Sequence, residues 1–174
     1  MKDNATFTDV FVKDINLENR AEFIREARAK FDAYDLSKWK KKYFDKKTGG
    51  YLVVEKDRIA QSKKHDNERD KFNREQGMNM TLARNGHAVE HLDDHKKGYD
   101  IHLDGIKADL KKTGSHNNMV HYAKKAVREQ GADMVVFELE SNTKKIQEEL
   151  DKLKRLNIKV SYYFSNDKSK MHYL

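Results

Sequence analysis

The sequence contains no cysteine and no proline, and it has no long apolar run. The absence of cysteine excludes disulfide bonds, thiolate zinc sites and catalysis by a cysteine nucleophile. No apolar stretch approaches the roughly 18 residues of a membrane-spanning helix, and the N-terminus lacks the apolar core of a signal peptide. These absences predict a protein without a membrane span, and we expect it in the cytoplasm.

Charged residues are numerous, and the two signs are unbalanced. Lysine and arginine number 36 against 29 acidic residues, which gives a net charge of +7 and a pI near 9.3. Such a balance suits a polyanionic partner, with nucleic acid as the first candidate and an anionic membrane surface as the second. The apolar residues fall in periodic runs, so 174 residues predict one folded domain with an appendage.

Residues 98–118 predict two β-strands joined by a tight turn. Apolar and polar residues alternate at period two on both sides of Asp104-Gly105, which is typical of half-buried strands. The Asp-Gly pair favours a type I′ hairpin turn, because both central residues of that turn need positive φ. The turn fixes the register so that Asp100 lies opposite Asp109.

The opposed aspartates are the first candidate site. Two carboxylates facing each other on a sheet repel by up to about 1 kcal/mol. A divalent cation between Asp100 and Asp109 would turn this repulsion into coordination, because Mg²⁺ prefers oxygen ligands. Lys111, on the same face, would then orient a water or stabilise a phosphate oxygen. The alternative is a solvated polar face on which Lys107 and Lys111 neutralise the acids.

The remaining periodic segments predict an α/β fold of the α+β type. Its small mixed sheet has four or five strands flanked by helices, in the order helix, three strands, helix, strand, helix, strand. A charged stretch over residues 56–74 indicates a boundary, which divides the chain into a mainly helical, basic N-terminal appendage (1–65) and a main domain (66–174). The polar tail from Ser165 is expected to be irregular.

The order of elements and two short motifs resemble the PD-(D/E)XK nuclease fold. Its second strand supplies an aspartate and its third supplies D/E-x-K, which match Asp100 and Asp109-Leu110-Lys111 here. The proline that often precedes the first aspartate is replaced by Tyr99. The resemblance implies a nuclease in which Asp100 and Asp109 hold Mg²⁺ or Mn²⁺ and Lys111 assists the attacking water.

Residues 72–164 also resemble toxin nuclease domains in their amino-acid sequence. The motifs N-G-H-x-V-E-x-L, Y-D-I-x-L-D-G-I-K-A-D-L-K, S-x-N-N and A-K-K-A-V-R-E-Q-G-A-D-M-V-V-F are similar to the C-terminal tRNA-cleaving domains of contact-dependent inhibition proteins and to related phage and mobile-element domains. This implies an RNA, tRNA or DNA substrate, an immunity, phage or mobile-element protein as partner, and action in a target-cell cytoplasm or a phage particle. Some such domains belong instead to the barnase–EndoU–colicin–RelE ribonucleases, which need no metal.

Three interpretations follow for the individual residues. In a metal-dependent nuclease, Glu75 would add a third carboxylate and Gln130 matches a helix glutamine of some relatives, although both positions also suit ordinary helix residues.

In a metal-independent RNase the 2′-hydroxyl attacks, so acid–base groups and a phosphate-binding cation are needed. The candidates for these roles are His116, His102, His121, Lys111 and Lys112. The third interpretation is a non-catalytic nucleic-acid-binding or phage structural module with a nuclease-like body. The cations expected to hold a phosphate backbone are Lys107, Lys112, Lys124, Lys125 and Arg128.

Overall fold

The computed structural model describes residues 17–93 and 98–174, with side chains from residue 19 onward. In these ranges the helices are α1 (Leu17–Asp32), α2 (Lys56–Ser62), α3 (Asp66–Arg84), α4 (Met119–Arg128) and α5 (Lys144–Arg155). The strands are β1 (Trp39–Phe44), β2 (Tyr51–Glu55), β3 (Ala88–His91), β4 (Ile101–Leu103), β5 (Ile106–Thr113), β6 (Met134–Leu139), β7 (Val160–Phe164) and β8 (Asp167–Tyr173). Among the described helices, none is both long and apolar enough to cross a membrane.

The eight strands form one mixed sheet in chain order, from β1 at one edge to β8 at the other. The pairs β2–β3, β5–β6 and β6–β7 are parallel, and the other neighbours are antiparallel. The predicted α+β class and the predicted order of elements from α3 to β7 are confirmed. That region contains five strands, and β1, β2 and β8 enlarge the sheet beyond the prediction.

Helices cover both faces of the sheet. On one face α3 packs Met78 and Leu82 against strand residues such as Val136. On the other face, residues of α1, α4 and α5 pack around Phe137 of β6, and Phe31 is one of the residues from α1. These four helices bury apolar residues against the sheet, so the middle strands are covered on both sides.

The Asp104-Gly105 hairpin forms as the sequence predicts. Both turn residues have positive φ, at 51° and 81°. Ile101 pairs with Ala108, which confirms the predicted register. Asp104 also ties the turn to β3, because its Oδ1 accepts a hydrogen bond from the Ala88 backbone N–H at 2.8 Å. The hairpin is therefore anchored at its tip as well as along its strands.

The predicted helical N-terminal piece is present as α1, but the described strands of residues 1–65 join the sheet of the main domain. β1 and β2 belong to the sheet, and β2 pairs in parallel with β3 across the predicted boundary. Trp39 of β1 is buried in the same core cluster as Phe137 of β6. The boundary therefore runs through a continuous sheet and a shared core. Residues 1–16 of the predicted appendage lie outside the described residues.

The C-terminal residues form β8 rather than an irregular tail. β8 runs antiparallel to β7, and the Asn85 side chain, directly after α3, donates to the Lys168 carbonyl oxygen at 2.8 Å. Both edge strands, β1 and β8, contact α3, so the sheet curls around this helix. α3 also contacts β3 and β5, which places its inner face beside the hairpin.

Candidate active site

Asp100 and Asp109 lie side by side in a buried position. Asp100 directly precedes β4 and Asp109 lies in β5, and only 6% and 3% of their surfaces are exposed. The Leu110 backbone N–H donates to Asp100 Oδ2 at 2.8 Å, and the Tyr122 hydroxyl of α4 donates to Asp109 Oδ2 at 2.6 Å. Because α4 covers this part of β5, the interpretation as a solvated polar face is wrong.

Both carboxyl groups of the pair have raised pKa values. Burial raises the pKa of Asp100 well above its ordinary value, and the charges of Glu75 and Asp109 and the hydrogen bond with Asp109 raise it further. Burial also raises the pKa of Asp109, while hydrogen bonds from Asp100 and Tyr122 partly offset that increase. In the folded protein the pair therefore holds a proton more tightly than isolated aspartates do, and the larger increase in pKa is that of Asp100.

Glu75 of α3 brings a third carboxylate into this region. It is 4% exposed, with Arg58 Nη2 at 3.1 Å and His91 Nε2 at 2.8 Å from its Oε2. The Lys71 ammonium lies 3.8 Å from its Oε1. Burial alone would raise the pKa of Glu75, but the hydrogen bond from His91 and the charges of His91, Arg58 and Lys71 outweigh burial and lower it. Glu75 is therefore ionised close to the acid pair.

Arg58 and His91 form a fixed support for Glu75. Arg58 of α2 is fully buried, and its guanidinium carbon lies 5.2 Å from the centroid of the Phe72 ring. The same ring stacks on His91, with centroids 5.4 Å apart and an interplanar angle of 12°. A buried guanidinium requires a counter-charge, which Glu75 supplies at 3.1 Å. The segment predicted to be a boundary thus positions a candidate site residue.

Asp100 and Asp109 are the carboxylates that suit a divalent cation. In the ranges 17–93 and 98–174, no group of three or more His, Asp or Glu side chains is arranged to hold a metal ion. Mg²⁺ needs only one or two protein carboxylates, because waters and substrate phosphates complete its octahedral shell. Carboxylate oxygens also suit Mn²⁺. Two adjacent buried carboxyl groups with raised pKa values favour a positive charge beside them, so the pair fits either ion.

A basic pocket of about 500 Å³ opens beside the acid pair. Its lining includes Lys111, Thr113, Asn117, Asn118, Tyr122 and Lys125. Tyr122 connects the pocket to Asp109 through its hydroxyl, and the Lys111 ammonium lies 5.0 Å from the centroid of the Tyr122 ring. No acidic side chain of the described chain lines the basic pocket, so its field favours an anion.

The three predicted cations of α4 divide between two cavities. Lys125 lines the basic pocket. Lys124 and Arg128 line a separate cavity of about 310 Å³ at the end of α5. Of the three, Lys125 is therefore the one that contributes its charge to the basic pocket.

The two predicted cations on β5 also differ in position. Lys107 shares a face with Lys111, and its ammonium lies 5.8 Å from the centroid of the Tyr99 ring. Lys112 lies on the opposite face, where its ammonium is 3.1 Å from the Glu138 carboxylate. The structure therefore does not bring Lys112 to the acid pair.

The candidate histidines lie in three different environments. His116 is in the loop between β5 and α4, and within the described residues no hydrogen bond or ion pair joins its side chain to the acid pair. His102 has Glu90 Oε1 at 2.9 Å and the Tyr99 hydroxyl at 3.2 Å. His121 lines the basic pocket. Of the three, His121 is the one that lines the pocket beside the acid pair.

Gln130 follows α4 and lies against the segment that leads into Asp100. Gly98 has a φ of 83°, a conformation that favours glycine. A Cβ added there would be only 3.0 Å from the Gln130 carbonyl oxygen. The close contact between the Gly98 and Gln130 backbones therefore requires glycine at position 98. The buried Oε1 of Gln130 has no hydrogen-bond partner among the described residues. Its catalytic role stays a prediction.

The sequence did not point to Arg58, His91 or Tyr122. A signal existed for Tyr122, which lies on the same helical stripe as the buried Met119 and Ala126. A tyrosine on a buried stripe needs a hydrogen-bond partner, and an acid on the facing strand is a natural one. Arg58 and His91 meet Glu75 only through long-range packing, which no local pattern indicates.

The raised pKa of Asp100 predicts how stability depends on pH. Because the folded state raises the pKa of Asp100, it binds a proton that the unfolded chain has lost above about pH 3.9. The contribution of this bound proton to the free energy of unfolding decreases as pH rises towards the raised pKa, with a slope of up to about 1.4 kcal/mol per pH unit. Asp100→Asn mimics the protonated acid and has no such proton to lose. In EDTA, the free energy of unfolding of this variant minus that of the wild type should therefore increase as pH rises. Urea titrations of both proteins at several pH values would check this, and a difference that stays constant with pH would contradict a raised pKa of Asp100.

No protein-family model matches the chain, and no curated protein matches its sequence. One solved structure with a similar fold is a CdiA-CT/CdiI toxin and immunity complex from Burkholderia pseudomallei. The TM-score is 0.46 and the sequence identity 19%, over 58% of this chain and 81% of that one. A likeness of this size does not by itself say what this chain does.

Proposed function

We propose that this chain is a nuclease that hydrolyses phosphodiester bonds of nucleic acid, with a divalent cation held by Asp100 and Asp109. The observation that carries the proposal is the buried pair of Asp100 and Asp109, which Tyr122 connects to the basic pocket. Buried carboxylates with shifted pKa values are typical of functional sites. The basic pocket and the net charge of +7 favour a phosphate-containing substrate.

Each residue of the site has a distinct role under this proposal. A bound Mg²⁺ or Mn²⁺ would stabilise charge on the phosphate and make a water molecule more acidic. Asp100 and Asp109 would hold that ion, and Tyr122 fixes the Asp109 carboxylate. Lys111 stabilises the negative charge that develops on the phosphate oxygens in the transition state. The ionised Glu75 adds negative potential, which strengthens cation binding.

The test is cleavage of labelled tRNA, other RNA, single-stranded DNA and duplex DNA by the purified chain. We expect at least one substrate to be cut with Mg²⁺ or Mn²⁺ and to remain intact with excess EDTA. Cleavage that persists in EDTA would favour the metal-independent RNase, with His116 as the first residue to replace. Binding without cleavage in every condition would favour the non-catalytic nucleic-acid-binding module.

The sequence resemblance extends this proposal to a toxin of the tRNA-cleaving type. Under that extension, an immunity protein would neutralise the chain, and cleavage would occur in the cytoplasm of a target cell. A phage or mobile-element partner is the alternative. The geometry of the acid pair is compatible with either setting, because both need the same phosphodiester chemistry.

A further inference from the structure

The basic pocket has the size of a small-ligand site. At about 500 Å³, it lies within the range of roughly 300–1,000 Å³ that holds small molecules in proteins. It is too small for a duplex, which would have to lie across its mouth. It adjoins the acid pair through Tyr122, so a group bound in it is a near neighbour of the reacting phosphate.

The loop wall of the basic pocket carries two amide side chains that the fold does not use. Asn118 occupies the N-cap position of α4, yet its φ is 65° and its side chain makes no capping hydrogen bond. The Asn117 side chain likewise makes no hydrogen bond to another described residue. By contrast, Thr143 caps α5 and accepts from the Ile146 backbone N–H at 3.2 Å. Neither asparagine side chain caps α4, and both amides are free for a ligand.

The remaining walls of the basic pocket supply charge and a ring surface. Lys111 and Lys125 are exposed cations that suit a phosphate group. His121 is exposed one helical turn before Lys125, and an imidazole ring is one of the surfaces on which bases stack. An amide side chain presents a donor and an acceptor together, which is the pattern that reads a base edge.

We propose that the basic pocket holds one unpaired nucleotide next to the scissile bond, and that Asn117 and Asn118 select its base. This inference rests on the proposed function, since it places the pocket beside the reacting strand. A paired base keeps its Watson–Crick edge inside the duplex, so a pocket of this size admits it only when it is unpaired or flipped out. The substrate class is therefore single-stranded or looped nucleic acid.

The test measures binding without cleavage. The Asp109→Asn variant in EDTA is titrated with the four nucleoside 5′-monophosphates, and the dissociation constants are compared. We expect a preference among the bases, and we expect an added Asn117→Ala/Asn118→Gly change to weaken the preferred nucleotide by about tenfold. Glycine at 118 removes the amide and accepts the positive φ. Lys125→Ala should weaken all four nucleotides alike, because it removes a phosphate contact.

Asn157→Gly is the matched control. Asn157 also has positive φ, at 56°, and it lines the separate cavity rather than the basic pocket, so nucleotide binding should not change. Absence of nucleotide binding, or an unchanged base preference in the double variant, would overturn the inference even if the wild-type chain cleaves nucleic acid. Base-selective binding that the double variant loses would support the inference even if no substrate is cleaved, and the proposed function alone would then fail.

Discussion

Asp109→Asn is expected to abolish cleavage while the protein stays folded. The change removes a charge that binds the cation, and a bound metal contributes several kcal/mol to the transition state, so the loss should be about 10³-fold or more. Asparagine retains an oxygen for the 2.6 Å hydrogen bond from Tyr122, and its amide N–H can donate to Asp100. With one of two close acids removed, stability should be unchanged or raised by up to about 1 kcal/mol. Initial cleavage rates and urea midpoints measure both effects.

Three further variants define which chemistry operates. Lys111→Ala should lower the cleavage rate by about 10²–10³-fold, because it removes the cation that stabilises the phosphate charge. Lys112→Ala is the matched control, since this lysine lies on the opposite face of β5 against Glu138, and it should change the rate little. Full activity in both Asp109→Asn and Lys111→Ala would remove this strand as the active site. A larger loss in His116→Ala than in Asp109→Asn would instead favour the metal-independent RNase.

The parts of the fold that the sequence predicted correctly are those with local causes. The Asp104-Gly105 turn requires positive φ at both residues, and the structure has it. That turn alone fixes the pairing of β4 with β5, and so the approach of Asp100 to Asp109. The order of helices and strands from α3 to β7 is likewise predicted by the local spacing of apolar residues. The acid pair was therefore accessible from the sequence before any long-range contact was known.

The parts that escaped prediction depend on long-range packing. β1 is rich in lysine and the first four residues of β8 are polar and exposed, as edge strands often are, so neither strand shows a clear apolar alternation. β2 pairs with a strand that follows two helices, which no local pattern specifies. Burial of the acid pair required α4 and Tyr122 to cover β5. Arg58 supports Glu75 only because α2 packs beside α3. The charged sequence of residues 56–74 does not predict this packing.

Arg58→Met is expected to destabilise the protein by about 3–5 kcal/mol, out of the roughly 5–15 kcal/mol that hold a typical domain together. Arg58 is fully buried and its Nη2 lies 3.1 Å from Glu75 Oε2. Without the guanidinium, the buried Glu75 carboxylate loses its closest permanent cation, and burial of an uncompensated charge is costly. Urea unfolding with an unchanged m-value would measure the loss as a lower midpoint.

Two comparisons separate this effect from the general cost of losing an arginine. Arg28→Met breaks an exposed i,i+4 ion pair with Asp32 and should cost less than about 1 kcal/mol. The double variant Arg58→Met/Glu75→Gln should be more stable than Arg58→Met alone, because the uncompensated charge is removed together with its partner. If Arg58→Met costs no more than Arg28→Met, or if Glu75→Gln fails to recover stability in the double variant, then Glu75 does not depend on Arg58. The position of Glu75 beside the acid pair would in that case be set by His91 and the packing of α3.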